Sequence, residues 1–135
     1  QPDPVAPTVL RPGTDAAAVA CGVMVEQALK AADALAAQGI SLRVVNAPCL
    51  QPFPDADVRA LLTDVRAIVG CEEHSIVGGL NQALAWALRG DGRPLDAVAD
   101  RDGFGQSAYS HEELLAHYHL TAADIESKVR ELLHA

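Results

Sequence analysis

Two glutamates and a histidine follow one another near the middle of this 135-residue chain. Glu72, Glu73 and His74 come directly after the apolar run 67–71, and Gly78 and Gly79 then open a pattern typical of a helix. Glutamate exchanges protons and histidine titrates near neutral pH, so these residue types suit general acid–base chemistry. An apolar run that gives way to charge and then to a helix indicates the carboxyl end of a buried parallel strand, where open α/β sheets meet ligands.

The spacing of these groups argues against catalysis by all three together. Successive side chains of a strand point to opposite faces, so Glu72, Glu73 and His74 cannot all face one reacting atom. A structural interpretation is therefore favoured, in which one glutamate is solvated and the other, with His74, orders a loop or a subunit interface. A catalytic acid–base role stays open as the less favoured alternative.

The glycine pair has two interpretations. Gly78 and Gly79 could present backbone N–H groups to an anion at a helix start, where the helix dipole favours negative charge. The chain contains neither GxGxxG nor GxxxxGK[ST], which argues against a nucleotide site. Glycine would equally let the helix pack closely against the sheet, so both interpretations stay open. Ser75 lies in no GxSxG motif, so a nucleophilic serine is not indicated.

A second group of possible metal ligands occurs later in the chain, namely His111, Glu112, His117 and His119. Paired zinc ligands on a helix typically recur at i and i+4, and His111 and His117 do not share such a face. No carboxylate completes the set at a suitable spacing. We therefore expect solvent-facing helix histidines and predict no metal site in this chain.

The composition indicates the class of protein. The chain has the length of one domain, half of its residues are hydrophobic, and only 4% are aromatic. A core of Ala, Val, Leu and Ile suits helices packed on a mostly parallel sheet. The formal net charge of −8, without a basic stripe, argues against a nucleic-acid partner.

Several features predict a soluble, cytoplasmic protein with no membrane partner. No apolar run approaches the ~20 residues of a membrane span, and the N-terminus lacks the pattern of a signal peptide. Cys21, Cys49 and Cys71 are odd in number and widely spaced, which is typical of buried thiols in a reducing compartment. The first seven residues include three prolines and no initiating methionine, which indicates a linker or a piece of a longer protein.

Strands alternate with helices along the chain. The predicted strands cover residues 8–10, 15–21, 40–47, 67–71 and 95–99, and prolines flanking the first indicate an edge strand. One predicted helix runs from Gly22 to near Gly39, and another from Gly78 to about Leu88. A helix between them begins with Asp55 as its N-cap. Two later helices begin with capping boxes, formed by Ser110 with Glu113 and by Thr121 with Asp124. This pattern predicts a three-layer α/β/α fold with a mostly parallel sheet of about five strands. We expect residues 1–9 to form a linker and the edge strand, and residues 10–135 to form one domain.

Three stretches, in order and in register, resemble the C-terminal domain of transketolases and related thiamine-diphosphate enzymes. Residues 72–80 (EEHSIVGGL) are similar to the signature that follows the family's third strand. Residues 11–15 (RPGTD) and 19–22 (VACG) are similar to its opening turn and strand. Residues 102–107 (DGFGQS), 112–115 (EELL) and 120–125 (LTAADI) are similar to its closing segment. The resemblance runs from about Leu10 to Leu133 and implies the family's α/β fold.

The closing segment resembles the transketolase branch, including split enzymes whose C-terminal half is a separate polypeptide. It is less similar to deoxyxylulose-phosphate synthases and to the beta subunits of 2-oxo acid dehydrogenases. The chain departs from the family at Asn81, Ala108 and His119, where the family often has glycine. Asn81 places a polar side chain where the helix approaches its neighbour. Ala108 and His119 require backbone angles that are open to residues with a Cβ.

The resemblance implies a domain that does not hold the cofactor itself. In this family, thiamine diphosphate and its divalent metal are held by the pyrophosphate-binding and pyrimidine-binding domains, which precede this one. The parent enzyme is then expected to be a homodimer that transfers a two-carbon ketol unit between sugar phosphates. The resemblance gives Glu72, Glu73, His74, Gly78 and Gly79 interface or supporting roles. Glu73 and His74 would be the polar contacts, and the glycines would set a close helix start.

Two functions of different classes follow. In the first, the chain is the C-terminal structural and interface domain of a transketolase-type enzyme and is inactive alone. In the second, it is a small-molecule or anion-binding regulatory module that uses the loop 72–79. A freestanding hydrolase is less favoured than either.

Overall fold

The computed structural model describes residues 6–47, 53–75, 79–100, 115 and 120–134, of which His74, Ser75 and Asp100 are described by their main chain only. In this part of the chain there are five strands and four helices. In chain order they are β1 (Thr8–Arg11), β2 (Ala16–Ala20), α1 (Met24–Ala36), β3 (Leu42–Asn46), α2 (Asp55–Leu61), β4 (Ala67–Ser75), α3 (Leu80–Ala87), β5 (Leu95–Asp100) and α4 (Ala122–Leu133). None of these helices is both long enough and apolar enough to cross a membrane.

The strands form one sheet in the order β1-β3-β2-β4-β5, with β2 at the centre. The strands β2 to β5 are parallel to their neighbours, and β1 runs antiparallel to β3 at one edge. The predicted mostly parallel sheet of about five strands is therefore confirmed. The prolines that flank β1 agree with its edge position, because proline cannot donate to a second ladder of hydrogen bonds.

Helices cover both faces of the sheet. On one face, α1 and α4 pack through residues such as Leu35 and Ile125, and on the other face α2 and α3 pack through Val58 and Leu84. The central strand β2 has the sequence AAAVA and is fully buried, and its residues alternate between the two clusters. Small side chains here let the helices approach the sheet closely. The predicted three-layer α/β/α fold is confirmed.

The helix starts agree with the sequence signals in one case and differ in another. The Asp124 N–H donates to Thr121 Oγ1, and the Thr121 N–H donates to the Asp124 carboxylate, so the predicted capping box of α4 is confirmed. The prediction that Asp55 is the N-cap of α2 is wrong, because Pro54 occupies that position and makes no side-chain cap. Asp55 is the first helical residue, where its charge is still favourable at the positive end of the helix dipole.

The β4–α3 unit differs in its bounds from the prediction. The strand predicted over 67–71 extends to Ser75, and the helix predicted from Gly78 begins at Leu80. The extra residues of β4 place Glu72 and Glu73 in the strand itself. The helix predicted from Ser110 with Glu113, and most of the proline-rich stretch after β3, lie outside the described residues, as do Ala108 and His119.

Candidate functional site at the carboxyl edge of the sheet

The parallel strands β2, β3 and β4 end at one edge of the sheet, which we call the carboxyl edge. Ala20, the last residue of β2, lies level with Cys71 of β4. After a register shift, β4 continues to Ser75 beside β5. The extension of β4 therefore carries Glu72 and Glu73 beyond the end of the central strand.

Strand alternation gives the two glutamates different surroundings. Gly70 and Glu72 face α3, whereas Cys71 belongs to the core cluster beneath α1 and α4. Glu72 is only 2% exposed, and Glu73, next in the alternation, is half-buried. The opposite directions of neighbouring side chains are those expected in a strand. The two carboxylates therefore do not act on one point.

The Glu72 carboxylate caps the start of α3. Its Oε2 atom accepts a hydrogen bond from the Leu80 N–H, which is one of the backbone donors that a helix start leaves without an intrahelical partner. The N-cap residue Gly79 has no side chain to do this. A Cβ built on Gly79 would lie 2.3 Å from Glu72 Oε1 and 2.9 Å from Oε2, so a larger residue here would force the carboxylate to move. The negative charge also lies at the positive end of the helix dipole.

A second close contact joins α3 to β4, two residues before Glu72 in the strand. Asn81, in the first turn of α3, is 7% exposed, and a Cβ built on Gly70 would lie 1.8 Å from its Oδ1 atom. The Asn81 side chain therefore occupies the space that Gly70 leaves open in β4. Its Nδ2 atom has no hydrogen-bond acceptor among the described residues.

The two described cysteines are structural. Cys71 is a free, fully buried thiol, and burial raises the pKa of this thiol to about 12. It therefore stays protonated and unreactive at neutral pH. Cys21, which follows β2, is also buried but forms a disulfide. The expectation of free thiols is confirmed for Cys71 and wrong for Cys21.

A cavity of about 190 Å³ lies at the opposite edge of the sheet, where α1 ends and β3 begins. Its lining includes Arg11, Ile40 and Ser41. The guanidinium of Arg11 forms an ion pair with Asp33, so this positive charge is already neutralised within the chain. The carboxyl edge remains the better candidate site, because it combines a buried carboxylate with a helix start.

Comparison with known proteins places this arrangement in a family. The model of the family described as "Transketolase, C-terminal domain" matches residues 7–125. The chain belongs to this family. The resemblance predicted from the residues around Glu72 is therefore confirmed.

Individual relatives of the family agree with this assignment. A 1-deoxy-D-xylulose-5-phosphate synthase from Lysinibacillus sphaericus (strain C3-41) is 33% identical over 93% of this chain, which covers 20% of that protein. A 6-deoxy-6-sulfo-D-fructose transketolase subunit from Clostridium sp. (strain MSTE9) is 36% identical over 93% of this chain and 39% of that protein. A solved "split gene transketolase, inactive beta4 tetramer" superposes with a TM-score of 0.86 and 37% identity, over 98% of this chain and 43% of that chain. The chain thus spans less than half the length of each of these relatives.

The enzymes of this family depend on thiamine diphosphate, and the described residues do not fit the metal that accompanies it. No group of three or more His, Cys, Asp or Glu side chains in the described ranges is placed to hold a metal ion. At the start of α3, where a pyrophosphate could meet backbone N–H groups, the Glu72 carboxylate already accepts from Leu80.

The structure brings together only part of the predicted site. Glu72 and Gly79 are in contact, and Glu73 lies beside them in β4 with its side chain half-buried. His74 is placed as a residue of β4 by its main chain, and Gly78 lies outside the described residues. The candidate metal ligands His111, Glu112, His117 and His119 lie outside them as well.

Sequence reasoning did not identify Asn81 as a partner of Gly70, nor Glu72 as the residue that caps α3. The i, i+2 relation of Gly70 and Glu72 is the signal that could have found both contacts. In a strand, two such residues face the same neighbouring element.

Proposed function

We propose that this chain is the C-terminal structural and interface domain of a transketolase-type enzyme, which transfers a two-carbon ketol unit between sugar phosphates. The observation that carries the proposal is the commitment of Glu72 to the start of α3. The buried carboxylate of the carboxyl edge is thereby used to build the fold, which favours a docking edge over an acid–base centre. We propose that this docking edge also includes Glu73, His74, Gly78 and Gly79.

We propose further that the chain is inactive alone. Its partners would be the pyrophosphate-binding and pyrimidine-binding domains of the parent enzyme, which would hold thiamine diphosphate and the divalent metal. Two findings support this. The chain covers 43% or less of the length of each relative described above. The matching split-gene transketolase is described as an "inactive beta4 tetramer", in which beta names a subunit and not a strand. Self-association of that protein also supports a homodimeric parent.

The transketolase branch is proposed over the deoxyxylulose-phosphate synthase branch. The identity to the transketolase subunit from Clostridium is 36% over 127 residues, and the identity to the synthase from Lysinibacillus is 33% over 128 residues. The superposition with the split-gene transketolase adds to this preference. A substrate assay on the reconstituted parent, with sugar-phosphate donors for both reactions, distinguishes the branches.

A cytoplasmic location is proposed with the sugar-phosphate chemistry. The disulfide of Cys21 is an observation against a cytoplasmic location, because stable disulfides are uncommon in the cytoplasm. Thiol labelling of the protein in freshly lysed cells tests the location. Full labelling of Cys21 only after reduction would argue for an oxidising compartment.

Calorimetric titration of thiamine diphosphate with Mg²⁺ into the isolated chain tests the proposed function. We expect no heat of binding, and we expect binding to appear when the polypeptide that carries the parent's cofactor-binding domains is present. Tight binding to the isolated chain would contradict the proposal. A thermal-shift screen with sugar phosphates tests the regulatory alternative, because a ligand that binds only the folded state raises the melting temperature. A shift at millimolar sugar phosphate would favour the anion-binding module.

A further inference from the structure

The contact between Glu72 and the start of α3 ties two elements that meet at the carboxyl edge. Glu72 lies in the extension of β4, and its carboxylate reaches Leu80 across eight positions of sequence. Both groups are buried, with Glu72 at 2% and Leu80 at 5% exposure. A charge-assisted hydrogen bond away from water holds its geometry more firmly than an exposed one.

The same interface is anchored below this contact. Leu80 and Leu84 belong to the core cluster on this face of the sheet, and Asn81 fills the space over Gly70. The first turn of α3 is thus packed along β4 from residue 70 to residue 72. The upper end of this packing lies next to residues 73–75, the part of β4 that extends beyond the central strand and pairs with β5 at Ser75.

We propose that Glu72 is a positioning residue, which holds the projecting end of β4 against the start of α3 and so sets the surface offered to the cofactor-binding domains. This inference rests on the function proposed above. Glu72 itself does not touch the partner, because it is buried under Gly79. Glu73 is half-buried on the opposite side of the strand, and it is the neighbouring described side chain that can reach the partner domains.

The role of Gly79 makes this inference testable by a double-mutant cycle. Gly79 has φ −101°, which residues with a Cβ adopt freely, so its glycine is required by the nearby carboxylate and not by the backbone. Gly79→Ala should therefore lower the melting temperature of the wild-type chain by about 5 °C or more, because the new methyl group displaces the carboxylate. In a Glu72→Ala background the methyl group finds space, and the same change should shift the melting temperature by less than about 2 °C.

The docking arm of the experiment measures the affinity of the chain for the polypeptide that carries the parent's cofactor-binding domains. Glu72→Ala and Gly79→Ala should each raise the Kd by about tenfold or more at a temperature where both variants are fully folded. Glu72→Gln retains an acceptor oxygen and should recover part of the affinity. Arg43→Ala is the matched control, because it removes hydrogen bonds at the opposite edge and should lower the melting temperature without changing the Kd.

Each result has a defined meaning. Non-additive melting temperatures together with weakened docking support the positioning role. Additive melting temperatures would overturn the contact on which it depends, and unchanged docking by a folded Glu72→Ala variant would reduce Glu72 to a stabilising residue. Failure of the wild-type chain to bind the cofactor-binding domains would overturn the proposed function and the positioning role together.

Discussion

The two edges of the sheet are held by opposite chemistry. At the amino edge, where the parallel strands begin, the guanidinium of Arg43 donates to the carbonyl oxygens of Gly13, Leu61 and Thr63 at 2.7–3.1 Å. Arg93 does the same for carbonyls of the turn between α2 and β4. At the carboxyl edge the bridging group is instead an anion, because the Glu72 carboxylate accepts a hydrogen bond from the Leu80 N–H at the start of α3.

This difference separates stability from docking. Arginine side chains at the amino edge join turns that are far apart in sequence, so they fix the connections between strands and helices. Glu72 joins β4 to the start of the next helix, and residues 73–75 continue beyond the central strand beside β5. Parallel sheets carry their functional contacts at the carboxyl ends of the strands. We therefore expect changes at the amino edge to affect mainly folding, and changes at the carboxyl edge to affect docking as well.

The largest expected effect lies at the amino edge. Arg43→Ala leaves three carbonyl oxygens without their charged donor and should lower the free energy of unfolding by about 3 kcal/mol. Urea denaturation measures this. Arg59→Ala is the control, because exposed Arg59 donates to a single carbonyl in the described part of the chain, that of Ala87 at 3.2 Å, and its loss should cost less than about 1 kcal/mol. Equal losses for the two variants would contradict a special role for the amino edge.

The next effect lies between β4 and α3. A Cβ on Gly70 would lie 1.8 Å from Asn81 Oδ1, so Gly70→Ala displaces the buried Asn81 side chain and should cost about 2 kcal/mol. The same change should be nearly neutral in an Asn81→Ala background, where the side chain that fills the space is shortened. Thermal unfolding of the four proteins measures the coupling. An equal cost of Gly70→Ala in both backgrounds would show that Asn81 is not the obstacle.

The smallest effect is pH-dependent and returns to the amino edge. The side-chain hydrogen bond from Arg93 holds the pKa of Asp91 below its usual value of 3.8. A folded-state pKa below the unfolded one means that the pair stabilises the protein above the unfolded pKa and loses this effect as the pH falls. The wild type should therefore be more stable than Asp91→Asn by about 0.5 kcal/mol near pH 7, and this difference should shrink as the pH falls below 3.8. A difference that persists unchanged at low pH would contradict this assignment.

Much of the fold was predictable because it follows from periodicity and capping. The apolar spacing of α1, the buried run of β2 and the Thr121–Asp124 capping box each determine local structure from neighbouring residues alone. The prediction for Asp55 is wrong by one position because an acidic residue is favourable both as an N-cap and in the first turn of a helix.

The site was less predictable because its contacts join separate elements. The apolar run ends at Cys71, and the charges after it predict an exposed loop, yet the strand continues and Glu72 is buried. The burial of Glu72 depends on where α3 begins, and the residue pattern within β4 carries no information on the start of that helix. Asn81 departs from the glycine that the family often has in this helix, and the space that its side chain needs is supplied by Gly70 of the strand.

Reconstitution of ketol transfer tests the central claim, that this domain docks onto a separate catalytic apparatus, most directly. The assay follows transfer from a ketose phosphate to an aldose phosphate with thiamine diphosphate and Mg²⁺, using the isolated chain, the cofactor-binding polypeptide of the parent, and their mixture. We expect no activity from the isolated chain and full activity from the mixture. Transfer by the isolated chain, or a mixture no more active than the cofactor-binding polypeptide alone, would contradict the account.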